Sequence, residues 1–210
     1  NKIIKASYFF DMLDIIRQAG FNLFPNRAIE LVPPSPMTND GILNHDTNST
    51  EGEETLNLIN NMLDGLSSYD GKSKDSMGQE RFWDTKNMMW YGPSGIGTAR
   101  TMTGFRNWHQ IPFLNGLPDR VGDPHAGHAF ADNNYVGFTA WPGMYMTVSG
   151  SGWLGIAPGD QKITMRSLDF WRVEGDLIRE NWVLIDMLSV YDQLGVDVLG
   201  RMKEFNKARR

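Results

Sequence analysis

The sequence predicts an α+β fold in which a curved antiparallel sheet packs on helices that precede it. Three observations lead there. Helical periodicity is concentrated before residue 120 and in the last residues, and alternation fills residues 126–186. A Gly175-Asp176 pair between two alternating runs reads as a tight hairpin. Finally, 210 residues of which 40% are hydrophobic are ordinary globular material, enough for one domain and extra segments.

Taken in order, the first element is a repeat. Laid without gaps, NKIIKASYFFDMLDIIRQAGFNLFP at the start covers DLIRENWVLIDMLSVYDQLGVDVLG from residue 176, with identities at Ile3/Ile178, Asp11/Asp186, Met12/Met187, Leu13/Leu188, Gln18/Gln193 and Gly20/Gly195. The later copy closes a domain, so residues 1–28 are expected to be the terminal strand and helix of a preceding repeat unit, packed on the intact domain or on a second chain. The competing reading is an arm that merely resembles the terminus. Residues 29–53 follow as a Pro-, Asn- and Ser-rich linker, and 54–205 as the complete domain. Asn48-Ser49-Thr50 matches a glycosylation sequon by pattern only.

Within that domain, Thr50 and Glu53 fit a capping box ahead of a helix whose Leu56, Ile59, Met62, Leu63 and Leu66 share a face. SMGQERFWD reads as a short helix and TKNMMWYGP as a strand. SGIGTARTMTGFRNWHQIPFL opens with small residues and then becomes helical, stopping near Pro112. The β region follows from Ala126, and MLSVYDQLG is a closing helix.

The hairpin carries the candidate chemistry. Period two puts Met165, Ser167, Asp169, Trp171 and Val173 on one face and the arginines of the strand on the other. A two-residue turn at Gly175-Asp176 sets Asp169 opposite Trp182, Trp171 opposite Glu180, Val173 opposite Ile178 and Met165 opposite Asp186, which gathers two indoles and three carboxylates on one face. An ionised carboxylate costs several kcal/mol to bury unpaired. Asp169 therefore pairs, lines a wet cavity, or has a raised pKa and a task.

WYGPSGIG, GFRNWHQIPFLNGLPDR, GWLGIAPGDQKITMRSLDFWR and DLIRENWVLIDMLSVYDQLG together resemble the SnoaL-like polyketide or ester cyclases of the nuclear transport factor 2-like superfamily. The pieces most specific to that pattern are Ile178, Glu180, Trp182, Asp186, Gln193 and Gly195. The resemblance implies a cone-shaped α+β barrel with a deep apolar pocket, usually dimeric. For the characterised cyclases it also implies a cofactor-free intramolecular aldol closure with an Asp base. It places that Asp at the position held here by Trp171 and a neighbouring His at Asp169. The chain therefore departs from the cyclase constellation, yet Asp169 points to the same side of the strand, two residues away.

The chemistry that fits is abstraction of a proton next to a carbonyl, or addition and elimination of water, as a lyase, isomerase or cyclase does. Asp169 would be the base, and His109 or an indole N–H the donor to the enolate. In the bland reading Asp169 holds a buried group and His109 is a hydrogen-bonded core histidine. Trp90, Tyr91, Phe113, His128, Met165, Trp171, Glu180 and Trp182 are expected around a hydrophobic small-molecule ligand. Trp141 and Trp153 either join them or form a dimer contact. His125, His128 and Asp132 are poorly spaced for a metal, so neither metal nor cofactor is expected. The glycines of WYGPSGIG lack the companions of a phosphate cradle.

A net charge of -5 provides no basic footprint for nucleic acid. The absence of cysteine excludes disulfides and thiolate chemistry and suits a reducing, cytoplasmic setting. No apolar run approaches the roughly 20 residues that cross a bilayer, and no signal-peptide pattern is found. A homodimer through the open side of the sheet is expected. The binding-only alternative is a non-catalytic module of a tandem-repeat protein.

Overall fold

The computed structural model describes residues 2–21, 46–123 and 126–207. Most of the expected linker, and His125, lie outside them. The first helix, α1 (Met12–Gln18), starts on Asp11, and α2 (Ser49–Ser67) starts on Asn48. Asn48, not Thr50, is the cap of α2. Its side chain accepts from the amides of Thr50 and Glu51, and its own amide donates to Asn133 Oδ1 at 2.6 Å. From there α2 buries Thr55, Ile59 and Met62, with Leu56, Leu63 and Leu66 partly buried beside them.

Among the described residues seven strands form one open, mixed, curved sheet. These are β1 (Met89–Tyr91), β2 (Thr98–Arg100), β3 (Val121–Gly122), β4 (Gly127–Asp132), β5 (Tyr135–Thr147), β6 (Lys162–Glu174) and β7 (Leu177–Ile185). Their order is β2-β1-β7-β6-β5-β3, and β4 pairs with the first half of β5. All neighbours are antiparallel except β1 and β7, which run parallel. The helices cover one face, so the core lies between α2, the helical segment after β2 and the inner face of the sheet.

Residues 94–116, expected to open with small residues and become helical up to Pro112, are more divided. They contain the short strand β2, then α3 (Thr101–Phe105), a π turn (Arg106–Gln110) and α4 (Ile111–Gly116). Pro112 does not end the helix, which runs on without a break from the π turn into α4. The wider turn just before it relieves the steric demand of the ring.

The closing helix, α5 (Met187–Gln193), explains several of the residues that carried the resemblance. Asp186 caps it by accepting from the Ser189 amide at 3.0 Å. Gln193 clamps it to β6, accepting from the Thr164 amide at 2.8 Å and donating to the Thr164 carbonyl at 2.9 Å. Gly195 ends the turn at φ +66°, a backbone state that favours glycine. A last helix, α6 (Val198–Lys207), follows.

Candidate functional site

The strand alternation on β6 holds. Ile163, Met165, Ser167, Trp171 and Val173 are buried on the helix-covered face, and Asp169 points the same way, half-buried. The Gly175-Asp176 turn also holds, with Gly175 at φ +61°, Glu174 opposite Leu177 and Val173 opposite Ile178.

Beyond that the expected register fails by one residue. A bulge makes Arg179 an extra residue of β7, so Arg172 faces Glu180, Trp171 faces Asn181, Phe170 faces Trp182 and Asp169 faces Val183. The cause can be read in the side chains. Without the bulge Arg172 would lie opposite Arg179, two cations side by side; with it, Arg172 meets a carboxylate and Arg179 turns to Asp84 at 3.0 Å and Glu174 at 3.1 Å.

The bulge divides the expected aromatic and acidic cluster between the two faces of the sheet. Glu180 and Trp182 join Tyr91 on the outer face. There Glu180 is fully buried, accepting from Tyr91 Oη at 2.6 Å and pairing with the equally buried Arg172. Trp182 stacks on Tyr91 at 5.3 Å and on Tyr135 at 6.5 Å. His128 is exposed on this side, opposite Thr139, and Phe130 and Phe170 meet edge to face in solvent. Trp141 is exposed at the rim, with Phe9 at 5.1 Å and the Arg166 guanidinium over its ring. Asp186 spans 3.2 Å to Arg166.

The inner face keeps Trp90, Trp171, Met165 and Asp169 and gains Asn181. One row across the sheet reads Trp90, Asn181, Trp171, Val136, and the next includes Val183, Asp169, Phe138. Asp169 is therefore flanked by aliphatic and aromatic groups, and Phe138 and Trp171 approach each other at 6.5 Å. Burial pushes its carboxyl up to about 7, against the opposing pull of hydrogen bonds with Ser167 and Asn181. Asn181 went unnoticed in the sequence because the unbulged register turned it outward. Its amide donates to the Phe170 carbonyl at 3.0 Å, which holds it in place beside the acid.

His109 lies on the π turn with its ring stacked on Trp90 at 4.2 Å and 14°, and Phe113 is 5.3 Å away. Its Nδ1 is buried with no hydrogen-bond partner among the described residues, and burial lowers the imidazole to about 3, so it is neutral at pH 7. His109, Asn107, Trp108, Pro112, Ile96 and Trp153 line a cavity of about 250 Å³. A second cavity of about 190 Å³ lies between residues 8–13 and 184–188, beside Trp141. Asp169 lines neither, so these two cavities do not bring it together with His109. Phe113 meets Trp153 edge to face at 5.8 Å. Among the described residues no group of three or more His, Asp or Glu is placed to hold a metal, and no helix is long and apolar enough to cross a membrane.

No family model matches the chain, and no curated protein does. Solved structures do. A protein described as a SnoaL-like polyketide cyclase from Shewanella putrefaciens CN-32 superposes with a TM-score of 0.54 at 13% identity, over 70% of this chain and 90% of that one. Another so described, from Jannaschia sp. CCS1, gives 0.53 at 14% identity, over 71% and 96%. AclR of Streptomyces galilaeus, described as a hydroxylase, gives 0.52 at 14% identity, over 68% and 85%. Likeness at this identity establishes the fold alone: the chain shares the curved α+β architecture of these solved structures.

Proposed function

We propose that this SnoaL-like, nuclear transport factor 2-like chain binds a hydrophobic carbonyl compound within its cone and uses Asp169 as a general base, without a cofactor. The carboxylate takes a proton from the carbon next to the carbonyl, leaving an enolate; returning the proton to a different carbon of a conjugated enolate isomerises the compound, loss of a β leaving group that takes up the proton is lyase chemistry, and attack of the enolate carbon on a second carbonyl, whose oxygen takes up the proton, closes a ring. A carboxyl near 7 suits both halves of such a cycle, because it is half ionised at neutral pH. The observation that carries the proposal is the position of Asp169 on the helix-covered face between Val183 and Phe138, where removal from water raises its basicity. His109, as a neutral ring, is suited to hydrogen bonding and not to proton transfer at pH 7.

The test is exchange. With 2-tetralone in deuterated buffer, the chain should speed incorporation of deuterium next to the carbonyl, and Asp169→Asn should lose that acceleration while still binding the ketone. General-base catalysis contributes on the order of 10²- to 10⁴-fold, so the loss should be at least of that order. Equal exchange by both proteins would end the catalytic reading. The binding-only reading gains support from Trp171, which stands fully buried where the cyclases are expected to carry their base. Under it, both proteins bind the ketone and neither exchanges its protons.

We also propose a homodimer through the outer face, where Phe130 and Phe170 stay in solvent. Light scattering at micromolar concentration should give twice the chain mass, and monomer alone would contradict the dimer.

A further inference from the structure

From Asp11 to Phe21 the sequence repeat is matched by the same pattern of backbone hydrogen bonds. A shift of 175 residues carries α1 onto α5, both seven residues long. Asp11 Oδ1 accepts from the Asp14 amide as Asp186 Oδ1 accepts from Ser189. The bonds Ala19 to Ile15, Gly20 to Arg17 and Phe21 to Ile16 recur as Leu194 to Val190, Gly195 to Asp192 and Val196 to Tyr191. Gly20 and Gly195 are both left-handed, at φ +88° and +66°.

What differs is burial. The residues that β7 turns into the core, Ile178, Asn181, Val183 and Ile185, correspond to Ile3, Ala6, Tyr8 and Phe10. All four copies are exposed, Ile3 at 90%, Tyr8 at 75% and Phe10 at 71%. On α5 the face packed on this domain holds Met187 and Val190, both buried, whereas Met12 and Ile15 of α1 are 42% and 51% exposed. Instead α1 is seated here by a different residue, Leu13, which is 1% exposed, and by Asp11 Oδ2, which accepts from the Ser94 amide at 2.7 Å. The arm thus keeps a strand pattern and a helix face made for a core that the described residues do not supply.

Charge narrows the identity of that core. Lys5 stands at the position of Glu180, whose carboxylate meets Arg172 in this sheet. Inserting the arm into the sheet of a second copy would set Lys5 against Arg172 where water is excluded, so an identical chain does not fit.

We propose that residues 3–10 are the closing strand of a homologous but different sheet, that of a preceding repeat unit, in which a carboxylate occupies the place that Arg172 holds here. In this arrangement α1 is the junction: its Met12 and Ile15 face the preceding unit while Leu13 and Asp11 fasten it to this one.

The test uses the natural polypeptide extended upstream of Asn1 by one unit. By hydrogen exchange, the amides of residues 3–10 should be at least roughly 100-fold slower in the extended chain than in the 210-residue chain. A zero-length carbodiimide cross-link should join Lys5 to an Asp or Glu on the penultimate strand of the upstream unit. If the extended chain does not fold when produced alone, the same cross-link is sought in protein isolated from its source. Unchanged exchange in a folded extended chain, a non-acidic residue in register with Lys5, or no such upstream unit would each overturn the proposal. So would protection of residues 3–10 in the 210-residue chain as its concentration rises, since that would make an identical copy the partner.

Discussion

Glu180→Ala should lower stability by about 3–5 kcal/mol, which denaturant melts would detect at once. Glu180 is fully buried and its two oxygens serve two buried groups, the Arg172 guanidinium and Tyr91 Oη. Removing it leaves a cation and a phenol on the packed outer face with water excluded. Burial, the largest cause that holds the Tyr91 hydroxyl above its ordinary range, persists without Glu180, so the phenol stays neutral and does not replace the lost anion. Glu174 is the remaining anion near Arg172, at 3.3 Å, but it is mostly in solvent and offsets little. Replacing both partners of the ion pair by apolar residues should be far milder than either single change, because no buried charge is then left alone. A single variant that melts with the wild type would mean that the outer face is wet.

Asp169→Asn should remove the chemistry and stabilise the fold above pH 7. The sign follows from linkage. A carboxyl whose pKa rises from 3.8 unfolded to about 7 folded leaves the native state most favoured below pH 3.8, and that advantage is lost as pH climbs through 7. The difference corresponds to roughly 3–4 kcal/mol at pH 8, reduced by whatever hydrogen bonding the amide forgoes. His109 acts in the opposite sense. Its lowering from 6.5 to about 3 means that the native state resists protonation, so its contribution is present above pH 6.5 and lost as pH falls toward 3. Between pH 4 and 6.5 the two slopes nearly cancel. In melts across that window, Asp169→Asn should therefore gain stability with rising pH relative to wild type, and His109→Phe should lose it. Parallel curves for all three proteins would contradict both assignments.

The parts of the molecule legible in the sequence are those set by a residue's immediate neighbours along the chain. Period two alone turned Asp169 and Trp171 to the inner face, and a glycine at the turn fixed the last two pairs of the hairpin. The repeat, six identities over 25 ungapped residues, foreshadowed the twin caps and twin turns of α1 and α5. The bulge at Arg179 left no comparable mark, since any residue can be the extra one. Only the prospect of Arg172 facing Arg179 signalled that the register had to slip. That one residue moved Glu180 and Trp182 to the outer face and brought Asn181 beside Asp169. Likewise the π turn under His109 depends on how Pro112 is accommodated in three dimensions, and β2, three residues long, is too short for alternation to reveal.

The central claim is that Asp169 is a desolvated acid on the covered side of the sheet. A carbon-detected NMR titration of its side-chain carboxyl tests this most directly. A midpoint near pH 7 is the expected result; a midpoint in the ordinary range of an exposed aspartate, about 4, would contradict it.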